Sequence, residues 1–141
     1  MNVKKIKRFL SLTLICLLFA STTAFASTKA SEQIAWYDLD ARAIGGGEIA
    51  IKTSITATNI MQEIGVLRIN VFTWGDYGLE LVESYDKDDT GMTSINSGAY
   101  NNTIYFSGEA GKTYQIVVSV FAEDKDGGSD SRSKTFSITA E

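Results

Sequence analysis

The chain is 141 residues long, with 13 basic and 17 acidic residues, a formal net charge of −4, no histidine, no proline and a single cysteine, Cys16. Without histidine neither a Ser-His-Asp triad nor a Cys-His pair can be assembled, and zinc sites built on Cys and His are excluded. The acidic balance opposes nucleic acid and anionic lipid as partners.

Residues 1–8 hold four basic side chains, Lys4, Lys5, Lys7 and Arg8; residues 9–20 are an apolar run, and Ala24-Phe-Ala26 follows as a small-residue cleavage site. This predicts a secretory signal peptide over 1–26, cut after Ala26. The apolar run is shorter than the ~20 residues a spanning helix needs. Ile15 stands where a lipoprotein signal wants a small residue before Cys16. Cleavage removes four basic residues and no acidic one, so the remaining 115 residues carry a formal charge of −8 and no cysteine. Stability then rests on a buried core at ~25 cal/mol per Å², with no disulfide. The mature form is expected outside the cell, with no membrane segment of its own.

Residues 27–33 are a polar lead-in, expected to be flexible, and 34–141 read as one domain. Residues 34–44 make a first strand, ended by three glycines. Over 48–58 the alternation is clean, with Ile49, Ile51, Thr53, Ile55 and Ala57 turned inward, as on a half-buried strand. A short loop is expected over 59–63. A third strand covers 64–74, with Leu67, Ile69 and Val71 inward and Val66, Arg68, Asn70, Phe72 and Trp74 outward. A turn at 75–78 leads to a fourth strand, 79–85. Residues 86–99, rich in Asp, Ser, Thr, Gly and Asn, read as a long loop. The fifth strand, 100–107, turns Ile104 and Phe106 inward. The sixth puts Tyr114, Ile116, Val118, Val120 and Ala122 on one face and Gln115, Val117, Ser119 and Phe121 on the other. Gly127-Gly128 supplies a hairpin turn. The last strand follows, with Phe136, Ile138 and Ala140 inward. Seven short strands separated by turn signals predict an all-β antiparallel sandwich.

The run Gly111, Thr113, Tyr114, Ile116, Val118, Val120, Ala122, followed by Gly128 and Ser129, resembles the last two strands of a fibronectin type III or related immunoglobulin-like domain. The resemblance implies a seven-stranded immunoglobulin-like sandwich. It also implies a tyrosine corner, in which the Tyr114 hydroxyl bonds to backbone just upstream, in 107–112. The tryptophan that fibronectin type III domains carry near the end of the second strand is missing, since 55–58 reads Ile-Thr-Ala-Thr. The wider name, immunoglobulin-like, is therefore the one used. Small exported proteins of Gram-positive bacteria look similar overall.

Chemistry-bearing groups are few. Asp86-Lys-Asp88-Asp89-Thr-Gly91 matches the start of an EF-hand loop, but its twelfth position is Ser97 where a bidentate Glu belongs. Asp124, Asp126 and Asp130 in the last hairpin could form a looser oxygen-ligand site. Solvated charged turns are the simpler reading of both, so no metal or cofactor is expected. A glycosidase needs two carboxylates flanking a cleft, which a small sandwich seldom builds, and the chain is read as no enzyme. The expected function is a secreted binding module for a protein or glycan partner at the cell surface, monomeric or weakly dimeric. The alternatives are a self-associating structural or accessory protein and, more remotely, a calcium-binding adhesion-type module. If strands three and six are neighbours, Arg68, Phe72, Trp74, Val117 and Phe121 gather on one outer face. Exposed aromatics together often mark an interaction site, and Trp and Arg are favoured anchors.

Overall fold

The computed structural model describes residues 33–141. The signal peptide expected over 1–26, its expected cleavage residues Ala24 and Ala26, and the lead-in up to Glu32 lie outside the described residues. Among the described residues no helix is long and apolar enough to cross a membrane.

Six strands follow in order: β1 (Ile34–Gly45), β2 (Glu48–Gly75), β3 (Gly78–Asp86), β4 (Thr93–Ser107), β5 (Thr113–Glu123) and β6 (Ser129–Thr139). All pairings are antiparallel and belong to one sheet. β2 is its spine, at 28 residues. Along one side of it run β3, opposite the second half, and β4, which reaches back to Glu48. Along the other side lie β1, opposite the first half, and β5, opposite the second. β6 pairs outside β5.

The sheet curls into a half-barrel, so that its ends approach. Lys134 Nζ on β6 donates to the Leu39 carbonyl on β1 at 3.0 Å, and the Ile34 amide donates to Asp130 at 3.4 Å. The concave face is the core. Ile49, Ile51 and Ile55 from one half of β2 share a single cluster with Ile69, Val71, Ile116 and Val118 from the other half and β5. The inward alternation expected over residues 48–58 and on β4 and β5 is met: Thr53, Ile104, Phe106, Tyr114, Val120 and Ala122 are all buried. Phe136 and Ile138 pack half-buried against the cluster, and Ala140 is buried. Gly127, at φ 83°, takes the left-handed position of the β5–β6 turn.

Several expectations are corrected. There are six strands where seven were expected, because 59–63 is no loop. Met61, Glu63, Ile64 and Gly65 pair with Ser97, Ile95, Ser94 and Thr93, and the ladder shows only a register shift after Thr56. That stretch holds no turn-forming glycine, and Met61 is buried. The long loop 86–99 shrinks to 87–92. Two bonds hold this turn against β2: Lys87 N–H to the Leu67 carbonyl at 3.2 Å, and Val66 N–H to the Met92 carbonyl at 2.8 Å.

The third correction is one of phase. Val66 pairs with Val120 and Arg68 with Ser119, which leaves Leu67 as an extra residue. Such a bulge switches which side chains face the core. Val66 is therefore fully buried and Leu67 is 38 % exposed, the reverse of the simple alternation. Beyond the bulge Ile69 and Val71 point inward as expected. Phe121 is the fourth: read as an outward, accessible ring, it is only 6 % exposed. Its cross-strand partner is Gly65, which leaves room for the ring to lie on the sheet, outside the main core cluster.

Tyr114 is buried, at the start of β5. The Glu109 N–H donates to its hydroxyl at 2.8 Å, within the predicted turn, and its ring meets Phe106 edge to face at 4.9 Å.

Candidate functional site

After the bulge, even-numbered residues of β2 face the convex side. The register then builds that face row by row. Trp74 stands beside Leu79 of β3. Phe72 stands between Leu81 of β3 and Gln115 of β5, and Asn70 between Ser84 and Val117. Arg68 stands between Asp86 and Ser119, with Ser133 of β6 beyond. Directly paired residues share a face and lie within side-chain contact. Four of the five residues singled out from the sequence, Arg68, Phe72, Trp74 and Val117, are thus brought together. Phe121 shares the sheet but is buried.

The apolar end of the face is open. Trp74 is 68 % exposed, Leu81 56 %, and Leu79 is exposed beside them, while Phe72 and Val117 are half-buried. Tyr77 in the adjoining turn is fully exposed. Leu79 and Leu81 were missed in the sequence. The signal was available: Gly75 pairs with Gly78, and continuing the alternation through that tight turn places both leucines beside Trp74 and Phe72.

The other end of the face is polar. Arg68 donates to Asp86 Oδ2 through Nε at 3.2 Å and Nη2 at 2.7 Å. Ser84 donates to Asn70 Oδ1 at 2.8 Å, and Ser119 and Ser133 share a hydrogen bond of 2.7 Å.

The acidic residues considered for calcium are dispersed over two turns. Asp86 is held by Arg68, and Asp88 sits 3.3 Å from Lys87 Nζ. Asp124 accepts from the Asp126 and Gly128 amides at 2.8 and 2.9 Å and from the Gln33 side chain at 2.5 Å. Asp126 is 2.9 Å from Lys125 Nζ. Among the described residues no group of three or more His, Cys, Asp or Glu gathers as a metal cage would require. Asp124 and Asp126 also line a cleft of about 980 Å³, with Asn59, Ile60, Gln62, Ile95 and Asn96, at the break in the β2–β4 ladder.

Two of these carboxylates titrate below the ordinary range. The Arg68 guanidinium lowers Asp86, against a smaller desolvation cost. The Gly128 amide, then the Gln33 side chain and the Asp126 amide, lower Asp124. A depressed carboxylate stabilises the fold fully above its unfolded pKa, and that contribution is lost as pH falls through the folded pKa. Melting temperature should therefore be insensitive to these groups above about pH 4 and fall below it. Arg68→Gln should lose less than wild type on acidification, as read from melting curves between about pH 2 and 6. Parallel curves for the two proteins would show that the Arg68–Asp86 pair adds nothing.

No protein-family model matches the chain, and no curated protein does. Among solved structures, it is similar to Spo0M, a sporulation control protein from Bacillus subtilis, at 15% identity and a TM-score of 0.41 over 75% of this chain and 49% of that one. This chain thus spans about half the length of the Spo0M chain. It is also similar to a protein described as late embryogenesis abundant (LEA), at 12% identity and a TM-score of 0.33, covering 96% of this chain and 89% of that one.

Proposed function

We propose that the chain is a non-catalytic, exported, immunoglobulin-like module that binds a protein or glycan partner at the cell surface through the convex face of β2, β3 and β5. The single observation that carries this reading is the open apolar cluster of Trp74, Leu79 and Leu81, continuous with Phe72 and Val117 and bordered by Arg68. Large exposed apolar clusters rimmed by polar residues mark interaction sites, and tryptophan and arginine dominate binding energy where they are buried by a partner. Two features support the immunoglobulin-like assignment. Tyr114 makes the corner bond, and the pairings divide into three strands about the first half of β2 and four about the second. The leader over 1–26 supports export.

The test uses a doubly altered face. Trp74→Ser with Leu81→Ser removes two exposed side chains, so stability should change by less than about 1 kcal/mol in all. Affinity should fall at least about 30-fold, the equivalent of ~2 kcal/mol for a lost central anchor. The immobilised chain, challenged with the envelope fraction of the cells that make it, should retain a partner that the variant does not. Equal retention by both proteins would remove this face from the reading.

A further inference from the structure

We propose that β3 is a docking strand whose outer edge takes up an extended peptide segment in which apolar side chains alternate with lysine or arginine. This rests on the binding-face reading above and specifies the partner's chemistry and how it is held.

β3 pairs with β2 alone, and among the described residues no strand covers its other edge. An open edge is a template for a further strand. Its second half is already closed. The Lys87–Leu67 bond continues the β2–β3 register, so alternation turns the backbone of Ser84 and Asp86 away from β2. Those two amides are taken by carboxylates: Ser84 N–H donates to Glu83 at 3.2 Å and Asp86 N–H to Asp89 at 2.8 Å. A bulge at Val82 separates this half from the first. The docking stretch is therefore residues 78–82.

The two faces of that stretch differ. On the convex side Leu79 and Leu81 lie beside Trp74 and Phe72, so an added strand would set apolar side chains there. On the other side stand Glu80 and Glu83, both exposed. β3 contains no lysine or arginine, and neither glutamate has a cationic partner among the described ion pairs. A hollow of about 310 Å³ opens beside this edge, lined by Glu83, Glu109, Lys112 and Phe106 among others. Lys112 is 3.7 Å from Glu109, which leaves Glu83 as the uncompensated charge. A lysine or arginine opposite Glu80, with Glu83 diagonal to it, fits both. A second copy of β3 does not: antiparallel self-pairing would crowd four carboxylates onto one short ribbon, and like charges across a pair are destabilising.

The probe is a synthetic eight-residue peptide of alternating Val and Lys, added to the full chain and followed by amide exchange and NMR shifts. It should slow exchange at least about tenfold at amides within residues 79–82. Alternating Val and Glu should not, and Glu80→Lys with Glu83→Lys should reverse that preference. Methylating alternate backbone nitrogens of the Val/Lys peptide should weaken it at least about tenfold, because ladder bonds give such complexes their affinity. No slowing with Val/Lys, or equal effects from Val/Lys and Val/Glu, overturns the proposal. Protection of these amides by a concentration-dependent dimer without peptide also overturns it and gives the edge to a second copy. A peptide that shifts Trp74 and Leu81 yet is indifferent to N-methylation overturns strand addition while leaving the binding face standing.

Discussion

Replacing Tyr114 by alanine should destabilise the domain by about 3–5 kcal/mol, the cost of emptying a buried aromatic site. The ring is nearly inaccessible and packs edge to face on Phe106. Tyr114→Phe keeps the packing and loses only the bond from the Glu109 amide. That should cost on the order of 1 kcal/mol, rising to ~3 only if the amide is left without water. Glu109 is exposed, which favours the lower figure. Gly108 completes the unit. A Cβ there would stand 2.6 Å from Tyr114 Cε2, far inside contact distance, so Gly108→Ala should be damaging with the tyrosine and much milder in Tyr114→Ala. A double-mutant cycle in urea should return a coupling of at least about 1 kcal/mol. Additive effects, or Tyr114→Ala melting like wild type, would mean the corner does not hold this end of the sheet.

Tyr114 lies where two turns and the last residues are tied together. Gly47 N–H donates to the Glu141 carbonyl at 2.6 Å, Gly108 N–H to the Gly47 carbonyl at 2.9 Å, and Gly111 N–H to the Ala140 carbonyl at 2.7 Å. These bonds lock the β1–β2 turn, the β4–β5 turn and the last residues together. Tyr114 fills the space beneath them. Its loss should therefore loosen three segments at once, which amide exchange in residues 45–48, 108–112 and 139–141 would report.

The inner faces of β2, β4 and β5 were legible because period-two alternation is a direct consequence of half-burial, and Ile49, Ile51, Ile55 and Ile116 obey it without exception. The bond from the Glu109 amide to the Tyr114 hydroxyl was legible because it depends on a single ring and a local turn. Other features had no local signal. The bulge at Leu67 is set by how β2 must match β5, a pairing that nothing in Val-Leu-Arg announces. The continuity of β2 through residues 59–63 depends on β4 arriving opposite, and β4 begins only at Thr93, well after β2 has ended at Gly75. The convex cluster was half legible: Arg68, Phe72, Trp74 and Val117 followed from alternation, because the bulge lies before them, whereas Leu79 and Leu81 required the exact register of the β2–β3 turn.

Phe121 is nearly inaccessible although simple alternation turns it outward with Val117, and its replacement should divide the face into an accessible end and a structural end. Phe121→Ser should destabilise by about 3 kcal/mol or more, since a nearly inaccessible ring is lost and a hydroxyl takes its place. For a domain of this size that lowers the melting temperature by roughly 12 °C or more. The surroundings have little room to adjust. Opposite it, a Cβ on Gly65 would stand 2.2 Å from the Met92 carbonyl oxygen and 2.7 Å from Thr93 Cα, so the β2–β4 crossing there is already at backbone contact. Trp74→Ser, by contrast, removes a ring that is 68 % exposed and should shift melting by no more than a few degrees. The pair of measurements is decisive because both rings were drawn on the same outer face. Equal, small shifts would return Phe121 to the proposed binding face; a large loss for Phe121 and none for Trp74 leaves the Trp74, Leu79 and Leu81 end, beside the open edge of β3, as the accessible part of that proposed face.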